Sequence, residues 1–331
     1  MKILVLGATG FIGKHLTKAL SEKGYKIRCL VRKESRKDDI DFLNSCRAEI
    51  FTGDVFDEQG LLKAMKGMDA VFNLVGGGYV STTFKKGYEA LKKLNVESTK
   101  MIFEAAVKSK IKKIIHFSSI SAMGIITEKE LDENSECFPK TPHEVCKLET
   151  EKIAEQFKNK ILITIIRPGI VFGPYGMNSE VLQLSRMMKK HLFIIPGSGK
   201  NIMPWIYVDE VVDGTILAFE KNKKSCGKFI LVSSPEPTFN EFINSIIKAL
   251  GFRVIVIHLP KYFLILASII LEKAGDFFGF EPLINSTRAR SMTSNRIYNV
   301  SKIKSLGYVP KSNLNEDMKK TINWYKENGY I

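Results

Sequence analysis

Residues 2–13 read KILVLGATGFIG, and this stretch decides the fold of the 331-residue chain. A short apolar strand enters a turn with glycine at every third position, and a helical pattern follows. Glycine allows the tight turn and lets the backbone approach a phosphate, while the free amides at the helix start favour negative charge. The segment therefore predicts a dinucleotide-binding turn. Its predicted binding positions are Gly7, Thr9, Gly10, Phe11, Ile12 and Gly13.

The alternation of strand and helix continues beyond this turn. The strands are short, almost continuous apolar runs, which is typical of a parallel sheet covered on both faces. Right-handed crossovers between them give a doubly wound α/β fold of the Rossmann type. Strands are predicted at 2–7, 26–32, 49–53, 70–75, 113–118 and 161–166, and helices at 11–23, 58–66, 87–109 and 142–158.

The pattern becomes less regular after Pro168. Helices are predicted at about 179–190, 207–221 and 239–250, with a further strand at 228–232. We therefore expect a dinucleotide-binding domain over 1–168, to which a segment of about 202–232 returns. The remainder, 169–331, is predicted to form a smaller, interleaved substrate-binding cap.

Charge and cysteine content narrow the classes of partner. The net charge is +15, but the basic residues are mostly lysines scattered in short pairs such as Lys189–Lys190. Nucleic-acid sites concentrate arginine with interleaved aromatic residues, so we expect a solvated surface and no nucleic-acid partner. Five scattered cysteines without a CxxC pair indicate a reducing cytoplasm and no metal site. No leader precedes the first strand, which also favours a cytoplasmic protein.

The end of the second strand indicates which nucleotide binds. An acidic residue there would accept a hydrogen bond from the ribose 2′-hydroxyl, whereas arginine suits a 2′-phosphate. Here the strand ends at Arg32, and Arg36 follows nearby, so the pattern favours NADP over NAD. The open alternative is that these are ordinary surface cations and that Glu34 serves the ribose. Further cofactor contacts are predicted at the ends of the next two strands, from Asp54, Val55, Leu74, Val75 and Gly76.

A catalytic group is predicted at the start of the helix that begins with TPHEVCKLE. His143 and Lys147 are four residues apart, so they lie on one helix face. Ser119, at the end of a strand, would face the same cleft and could bind a substrate oxygen as its charge changes.

These motifs carry a resemblance that runs nearly from end to end. The quoted segments, together with LNVEST, HFSSISAMG and RPGIVFGP, resemble an extended short-chain dehydrogenase/reductase of the NAD-dependent epimerase/dehydratase superfamily. The C-terminal part is similar to the 3β-hydroxysteroid dehydrogenase and dihydroflavonol reductase branch. The resemblance implies a catalytic Tyr-xxx-Lys pair with an upstream serine, and so implies roles for Ser119 and Lys147. It also implies that Pro168 and Ile170 lie along the nicotinamide, and that the protein is a homodimer.

The chain departs from that pattern at His143, where the family has tyrosine. Histidine has an ordinary pKa near 6.5, whereas that of tyrosine is near 10. Repulsion from Lys147 is expected to keep the imidazole neutral, and a neutral imidazole can still donate or accept a proton. Two outcomes stay open: His143 carries the proton, or the site is impaired or repurposed.

Two functions follow from this ambiguity. The first is an NAD(P)-dependent oxidoreductase that acts on a secondary alcohol or ketone of a small substrate, either lipid-like or a nucleotide sugar. The second is a catalytically impaired NAD(P)-binding subunit or sensor at a membrane.

The apolar segment 254–279 bears on both functions. Its uncharged run over 262–271 is half the length needed to span a bilayer. It is predicted to be either a pocket-lining helix or a peripheral contact with the inner face of a membrane, flanked by Lys261 and Lys273.

Overall fold

The computed structural model describes residues 1–77, 84–177, 179–223, 226–278 and 286–331. Its strands are β1 (Lys2–Leu6), β2 (Lys26–Val31), β3 (Glu49–Thr52), β4 (Ala70–Asn73), β5 (Lys113–Phe117), β6 (Glu130–Leu131), β7 (Leu162–Pro168), β8 (Ile170–Phe172), β9 (Leu192–Pro196), β10 (Trp205–Tyr207), β11 (Cys226–Leu231), β12 (Ile255–Leu259) and β13 (Ile297–Tyr298). Its helices are α1 (Phe11–Glu22), α2 (Lys37–Ser45), α3 (Glu58–Met65), α4 (Phe84–Leu91), α5 (Ser98–Lys108), α6 (Pro142–Gln156), α7 (Glu180–Met188), α8 (Val208–Lys221), α9 (Phe239–Leu250), α10 (Lys261–Phe278), α11 (Ser286–Thr293), α12 (Ser301–Lys304) and α13 (Leu314–Glu327).

The central sheet confirms the predicted doubly wound α/β fold. Seven strands pair in the order β11-β7-β5-β4-β1-β2-β3, and every pair is parallel. Each predicted strand of this sheet is present, with its ends within two residues of the predicted ones. The strand order reverses between β1 and β4, and in such sheets ligands bind at the carboxyl ends of the strands beside this point.

Both faces of the sheet are buried, which explains why its strands are apolar throughout. On one face α1 and α8 bury Leu16, Leu20 and Phe219 against the strands. On the other face α3 and α5 bury Leu61 and Phe103. The helices were predictable from their periodicity, because each contributes one apolar stripe to a layer of the core.

The helix predicted at 87–109 is present but is not a regular α-helix. It begins at Phe84, and a π-helical stretch over Lys92–Glu97 lies between α4 and α5. Such one-turn π segments are frequent at functional sites. The helix α2 was not predicted, since its nine residues are mostly polar.

The second half of the chain supplies a separate core and several short parallel strand pairs. Strand β8 pairs with β10, β9 with β12, and β6 with β13. In this core the rings of Trp205 and Phe242 stack with their centroids 3.6 Å apart. Strand β11 belongs to the central sheet, and helix α8 packs against one face of that sheet. The predicted domain boundary at 168/169 stays a prediction.

The segment 254–279 contains β12 and α10, and residue 279 lies outside the described residues. Among the helices of the described ranges, none combines the length and the apolar content needed to cross a membrane.

Candidate functional site

The glycine turn has the geometry that its sequence predicted. Gly7 has a φ of +80°, and a Cβ atom there would lie 2.9 Å from the carbonyl carbon of Leu74. A Cβ atom at Gly13 would clash with the carbonyl oxygen of Gly7. Side chains at these two positions would therefore separate β1 from β4 and α1 from the turn.

The start of α1 fits a dinucleotide diphosphate. Gly10 is the N-cap residue and is exposed, no side chain caps the helix, and its first turn contains no acidic residue. The amides and the positive end of the helix dipole are therefore available to an anion. Thr9, Phe11 and Ile12 are half-buried around the turn. Leu74, Val75 and Gly76 lie next to it, because the amide of Leu74 donates to the carbonyl oxygen of Leu6 over 3.0 Å.

Arg32 and Arg36, the two arginines that follow β2, differ in their surroundings. Asp39 on α2 is buried, and its carboxylate pairs with Lys14 at 2.6 Å and with Arg36 at 3.1 Å. This pairing raises the pKa of Arg36 through the Asp39 carboxylate and holds the Arg36 side chain against α2. Arg32, in contrast, is exposed at the end of the strand. Of the two predicted nucleotide contacts, Arg36 is 54% exposed but already paired with Asp39, whereas Arg32 extends into solvent.

The predicted adenine contacts follow β3. Asp54 is exposed, and its Oδ1 accepts a hydrogen bond from the amide of Phe56 over 2.9 Å. This bond fixes the turn after the strand and leaves the second carboxylate oxygen facing solvent. Val55 is half-buried beside it and contacts the core between the sheet and α3.

Helix α6 positions the predicted catalytic pair. Thr141 and Glu144 form a capping box in which each side chain accepts a hydrogen bond from the other residue's backbone amide. The cap fixes the first turn, which carries His143, and Lys147 follows one turn later. The Lys147 ammonium lies 3.4 Å from the carbonyl oxygen of Phe117, at the end of β5. It also lies 3.2 Å from where a Cβ atom of Gly76 would be, so the lysine and the predicted cofactor strand meet.

His143 contacts the hydroxyl of Ser121, a serine that the sequence analysis did not assign. The Oγ atom of Ser119 accepts a hydrogen bond from the amide of Ser121 and caps the 3-10 turn Ile120–Met123. The Oγ atom of Ser121 lies 3.3 Å from Nδ1 of His143. Both hydroxyls are at the carboxyl end of β5, as predicted for Ser119. The repeated serine in SSIS was the sequence signal for the second hydroxyl.

Burial and charge both disfavour protonation of His143. Burial and, to a smaller extent, the Lys147 ammonium together lower its pKa to about 4. The positive end of the α6 dipole acts in the same direction. Neutral His143 was predicted from like-charge repulsion, whereas the larger cause is burial. Burial also lowers the pKa of Lys147 to about 8, despite the opposing effect of Glu151.

A buried polar network lies behind these groups and was not predicted. Glu151, one turn beyond Lys147, pairs with Arg167 of β7 through two hydrogen bonds of 2.8 and 2.7 Å. Its Oε1 also accepts a hydrogen bond from the hydroxyl of Ser118 over 2.6 Å. The Arg167 guanidinium and hydrogen bonds hold the pKa of Glu151 below its usual range, despite its burial. The network therefore joins α6 to the ends of β5 and β7.

Asn95 is a second residue that sequence analysis did not assign. It lies within the π-helical stretch, and its side-chain NH₂ donates to the carbonyl oxygen of Leu91 over 2.9 Å. Its buried Oδ1 has no hydrogen-bond donor within the described ranges, and it lies 2.8 Å from where a Cβ atom of Gly76 would be. An orphaned acceptor this close to Lys147 fits a ligand hydroxyl at the same place. The motif LNVEST was the available sequence signal.

Pro168 and Ile170, which were predicted to lie along the nicotinamide, are on either side of the junction between β7 and β8. Pro168 is buried at the end of β7, and Ile170 is half-exposed at the start of β8. The amide of Ile170 donates to the carbonyl oxygen of Pro204 over 2.8 Å, which directs the chain away from the sheet. The cofactor contacts of both residues stay predictions.

Known proteins resemble this chain in sequence and in fold. The sequence profile of the NAD dependent epimerase/dehydratase family matches residues 3–232. Sterol-4-alpha-carboxylate 3-dehydrogenase, decarboxylating, from Mus musculus is 24% identical over 97% of this chain and 90% of its own. N-acetyl-alpha-D-glucosaminyl-diphospho-ditrans,octacis-undecaprenol 4-epimerase from Escherichia coli O157:H7 is 24% identical over 97% and 94%. The structure of UDP-glucuronic acid 4-epimerase from Bacillus cereus with UDP-glucuronic acid and NAD has a TM-score of 0.79 at 23% identity, covering 99% of this chain and 100% of that one.

Loss of the Glu151 carboxylate should destabilise the fold strongly. Glu151→Ala leaves the buried Arg167 guanidinium without its partner, and we expect a loss of about 3–5 kcal/mol in the free energy of unfolding. Glu155→Ala is the matched control, because Glu155 is on the same helix and pairs with Lys228 at 2.7 Å but is 45% exposed. It should cost about 1 kcal/mol or less. Equal losses in urea titrations would contradict the proposed importance of the buried pair.

The imidazole of His143 should titrate far below neutrality. The pKa of His143 is about 4 in the folded protein and near 6.5 in the unfolded chain, so the unfolded chain binds the proton first as the pH falls. The free energy of unfolding should therefore decrease as the pH falls from 6.5 to about 4. Lys147→Met should raise the pKa of His143 without restoring the ordinary value, because the effect of burial remains. Imidazole nitrogen shifts measured by NMR against pH report both values. A wild-type midpoint at or above 6.5 would refute the assigned environment.

Proposed function

This chain belongs to the NAD dependent epimerase/dehydratase family, a superfamily of oxidoreductases, and we propose that it is an NADP(H)-dependent member that oxidises a secondary alcohol or reduces a ketone. When bound, the nicotinamide would supply or take up the hydride. The diphosphate would bind at the turn of Gly7, Gly10 and Gly13, and the nicotinamide ribose beside Asn95 and Lys147. Ser119 would bind the substrate oxygen.

The contact between Ser121 and His143 carries the proposal. Because the pKa of His143 is lowered to about 4, the imidazolium is scarce at neutral pH. A neutral imidazole still has one N–H and one free nitrogen. With Nδ1 accepting the hydroxyl proton of Ser121 over 3.3 Å, Nε2 carries the ring proton. This arrangement supports a relay in which the ring never becomes charged.

The relay takes its proton from water. In ketone reduction the substrate oxygen takes the Nε2 proton, and Nδ1 takes the hydroxyl proton of Ser121. The half-exposed Ser121 oxygen then takes a proton from water, and the hydroxide ion passes to solvent. The ring is left protonated at Nδ1, and it regains the Nε2 proton by exchange with water once the product has left. Oxidation runs through the same steps in reverse. Lys147 stays in place as the neighbouring cation that favours a neutral ring.

Two features favour NADP(H) as the cofactor. No acidic residue occupies the end of β2, and Arg32 is exposed there. Arg36 contributes less than the sequence suggested, because Asp39 already holds it. The solved structures of similar proteins include complexes with NAD. The proposed preference for NADP(H) therefore rests on the residues at the end of β2 in this chain.

A lipid-like substrate is favoured over a free sugar. By their names, two relatives with full-length similarity act on a sterol carboxylate and on an undecaprenol-linked sugar. Both substrates carry a secondary alcohol on a molecule with a large apolar part. A nucleotide sugar is the alternative class, as in the Bacillus cereus structure.

The second candidate function is a nucleotide-binding protein without turnover. The low pKa of His143 favours it, because a weak base is a poor substitute for the tyrosine of the family. It predicts tight NADPH binding and no hydride transfer with either substrate class.

A double-mutant cycle separates these candidates. If the relay operates, His143→Ala should reduce turnover by about 10²–10⁴, and Ser121→Ala should cause a similar loss in kcat with little change in KM. In the His143→Tyr background Ser121→Ala should have little effect, because a phenol needs no proton at a second ring atom. NADPH oxidation with 3-ketosteroids and with nucleotide 4-ketosugars measures turnover. If Ser121→Ala reduces kcat equally in both backgrounds, the relay is excluded. Turnover with none of these substrates by any variant that still binds NADPH would favour the second candidate.

Cofactor choice is tested at the strand end. Arg32→Ala should weaken NADPH binding by about 10-fold or more, since a charge-assisted pair with the 2′-phosphate is lost, and leave NADH binding nearly unchanged. Lys33→Ala, the adjacent exposed cation, is the matched control. Calorimetric titration of each variant with both nucleotides gives the comparison. Equal weakening for NADPH and NADH would refute the 2′-phosphate contact.

A further inference from the structure

Two short strands in the second half of the chain expose an unusual aliphatic surface. Strand β9 pairs with β12 in parallel, so Leu192 lies beside Ile255 and Ile194 beside Ile257. These four side chains are between 43% and 58% exposed, while Phe193 and Ile195 point into the core. The pair therefore has large apolar residues on both faces, which a solvent-facing sheet normally avoids.

The helix that follows continues this surface. In α10 the exposed side chains include Tyr262 (73%), Phe263 (66%), Leu266 (58%) and Ile270 (59%). Their spacing places them within about one third of the helix circumference. Ser268 lies on the opposite side and is buried. Most surface helices turn their apolar stripe inward, and α10 turns one to solvent.

The strands and the helix adjoin one another. Only Pro260 separates β12 from α10, and the amide of Gly197, directly after β9, donates to the carbonyl oxygen of Leu259 over 2.6 Å. We call this surface the apolar face. Its residues are Leu192, Ile194, Ile255, Ile257, Leu259, Tyr262, Phe263, Leu266 and Ile270. Exposed apolar surface of this kind marks a site of interaction with a protein or a membrane.

Exposed cations border the apolar face. Lys189 and Lys190 precede β9, and Arg253 precedes β12. Lys261 opens α10, and Lys273 is exposed less than one turn beyond Ile270. Cations around an apolar surface complement a bilayer whose head groups are anionic and whose acyl chains lie just beneath. They disfavour a second copy of the chain, because the two cationic borders would meet.

We propose that the apolar face is a docking surface for an anionic membrane, with α10 lying in the plane of the interface. The side chains of the stripe enter the boundary between head groups and acyl chains, and the bordering cations contact phosphate groups. The inference concerns a surface separate from the residues assigned to hydride transfer. It holds whether or not the proposed relay operates.

Flotation of the purified full-length chain with vesicles tests the proposal. We expect the protein to float with vesicles of phosphatidylcholine and phosphatidylglycerol at low salt, and more weakly with phosphatidylcholine alone. Phe263→Glu combined with Leu266→Glu should abolish flotation, since two charges would enter the apolar boundary. Lys189→Gln with Lys190→Gln should weaken it by about fivefold per charge. Val309→Glu is the matched control, because Val309 is a 68% exposed apolar residue outside the apolar face.

Three results would overturn the proposal. One is wild-type protein that does not float at low salt. Another is a Phe263→Glu/Leu266→Glu variant that floats as well as Val309→Glu, which would assign binding to the overall charge alone. The third is a dimer, detected by sedimentation, that the same double variant dissociates in the absence of flotation. Unchanged thermal unfolding and NADPH binding of the variants would show that only the surface has changed. Blue-shifted fluorescence of a Tyr262→Trp variant on anionic vesicles is expected if α10 enters the interface.

Discussion

The buried ion pair between Glu151 and Arg167 holds the site together. Glu151 extends the stripe that His143 and Lys147 begin on α6, and Arg167 directly precedes Pro168, the last residue of β7. Ser118 shares the same carboxylate. Three elements that are distant in sequence therefore meet at one charge pair, and a shift of any of them would move the imidazole, the ammonium or the serine hydroxyls. A buried pair tolerates loss of one partner poorly, so this geometry is rigid.

Much of the fold could be predicted from local sequence alone. The glycine turn and the apolar strands depend on short-range patterns, and so does the spacing of His143 and Lys147 on one helix face. The missing parts depend on contacts between distant segments. Nothing near Glu151 indicates that Arg167 meets it, and the pairing of Asp39 with Lys14 requires α2 to lie against α1. The contact between Ser121 and His143 also depends on how a 3-10 turn orients two neighbouring hydroxyls.

His143 stands where the family resemblance implies a tyrosine, in a site whose other parts are present. The capping box still fixes the first turn of α6, and Lys147 still lies beside the predicted cofactor strand. What has changed is the electrostatic requirement, because a phenol profits from a nearby cation, whereas an imidazole is kept neutral by one. The same scaffold therefore favours proton movement without net charge. Asn95, in its π-helical stretch, adds an acceptor that suits a ligand hydroxyl.

The combination of lysine-rich composition and the apolar face has a consequence for colloidal behaviour. With a net charge of +15, copies of the chain repel one another at low ionic strength, and this repulsion opposes adhesion between their aliphatic surfaces. The Debye length shrinks to about 3 Å in molar salt, so that the repulsion is lost while apolar attraction persists. Dilute buffers should therefore keep the protein dispersed, and concentrated salt should drive self-association, the opposite of salting-in.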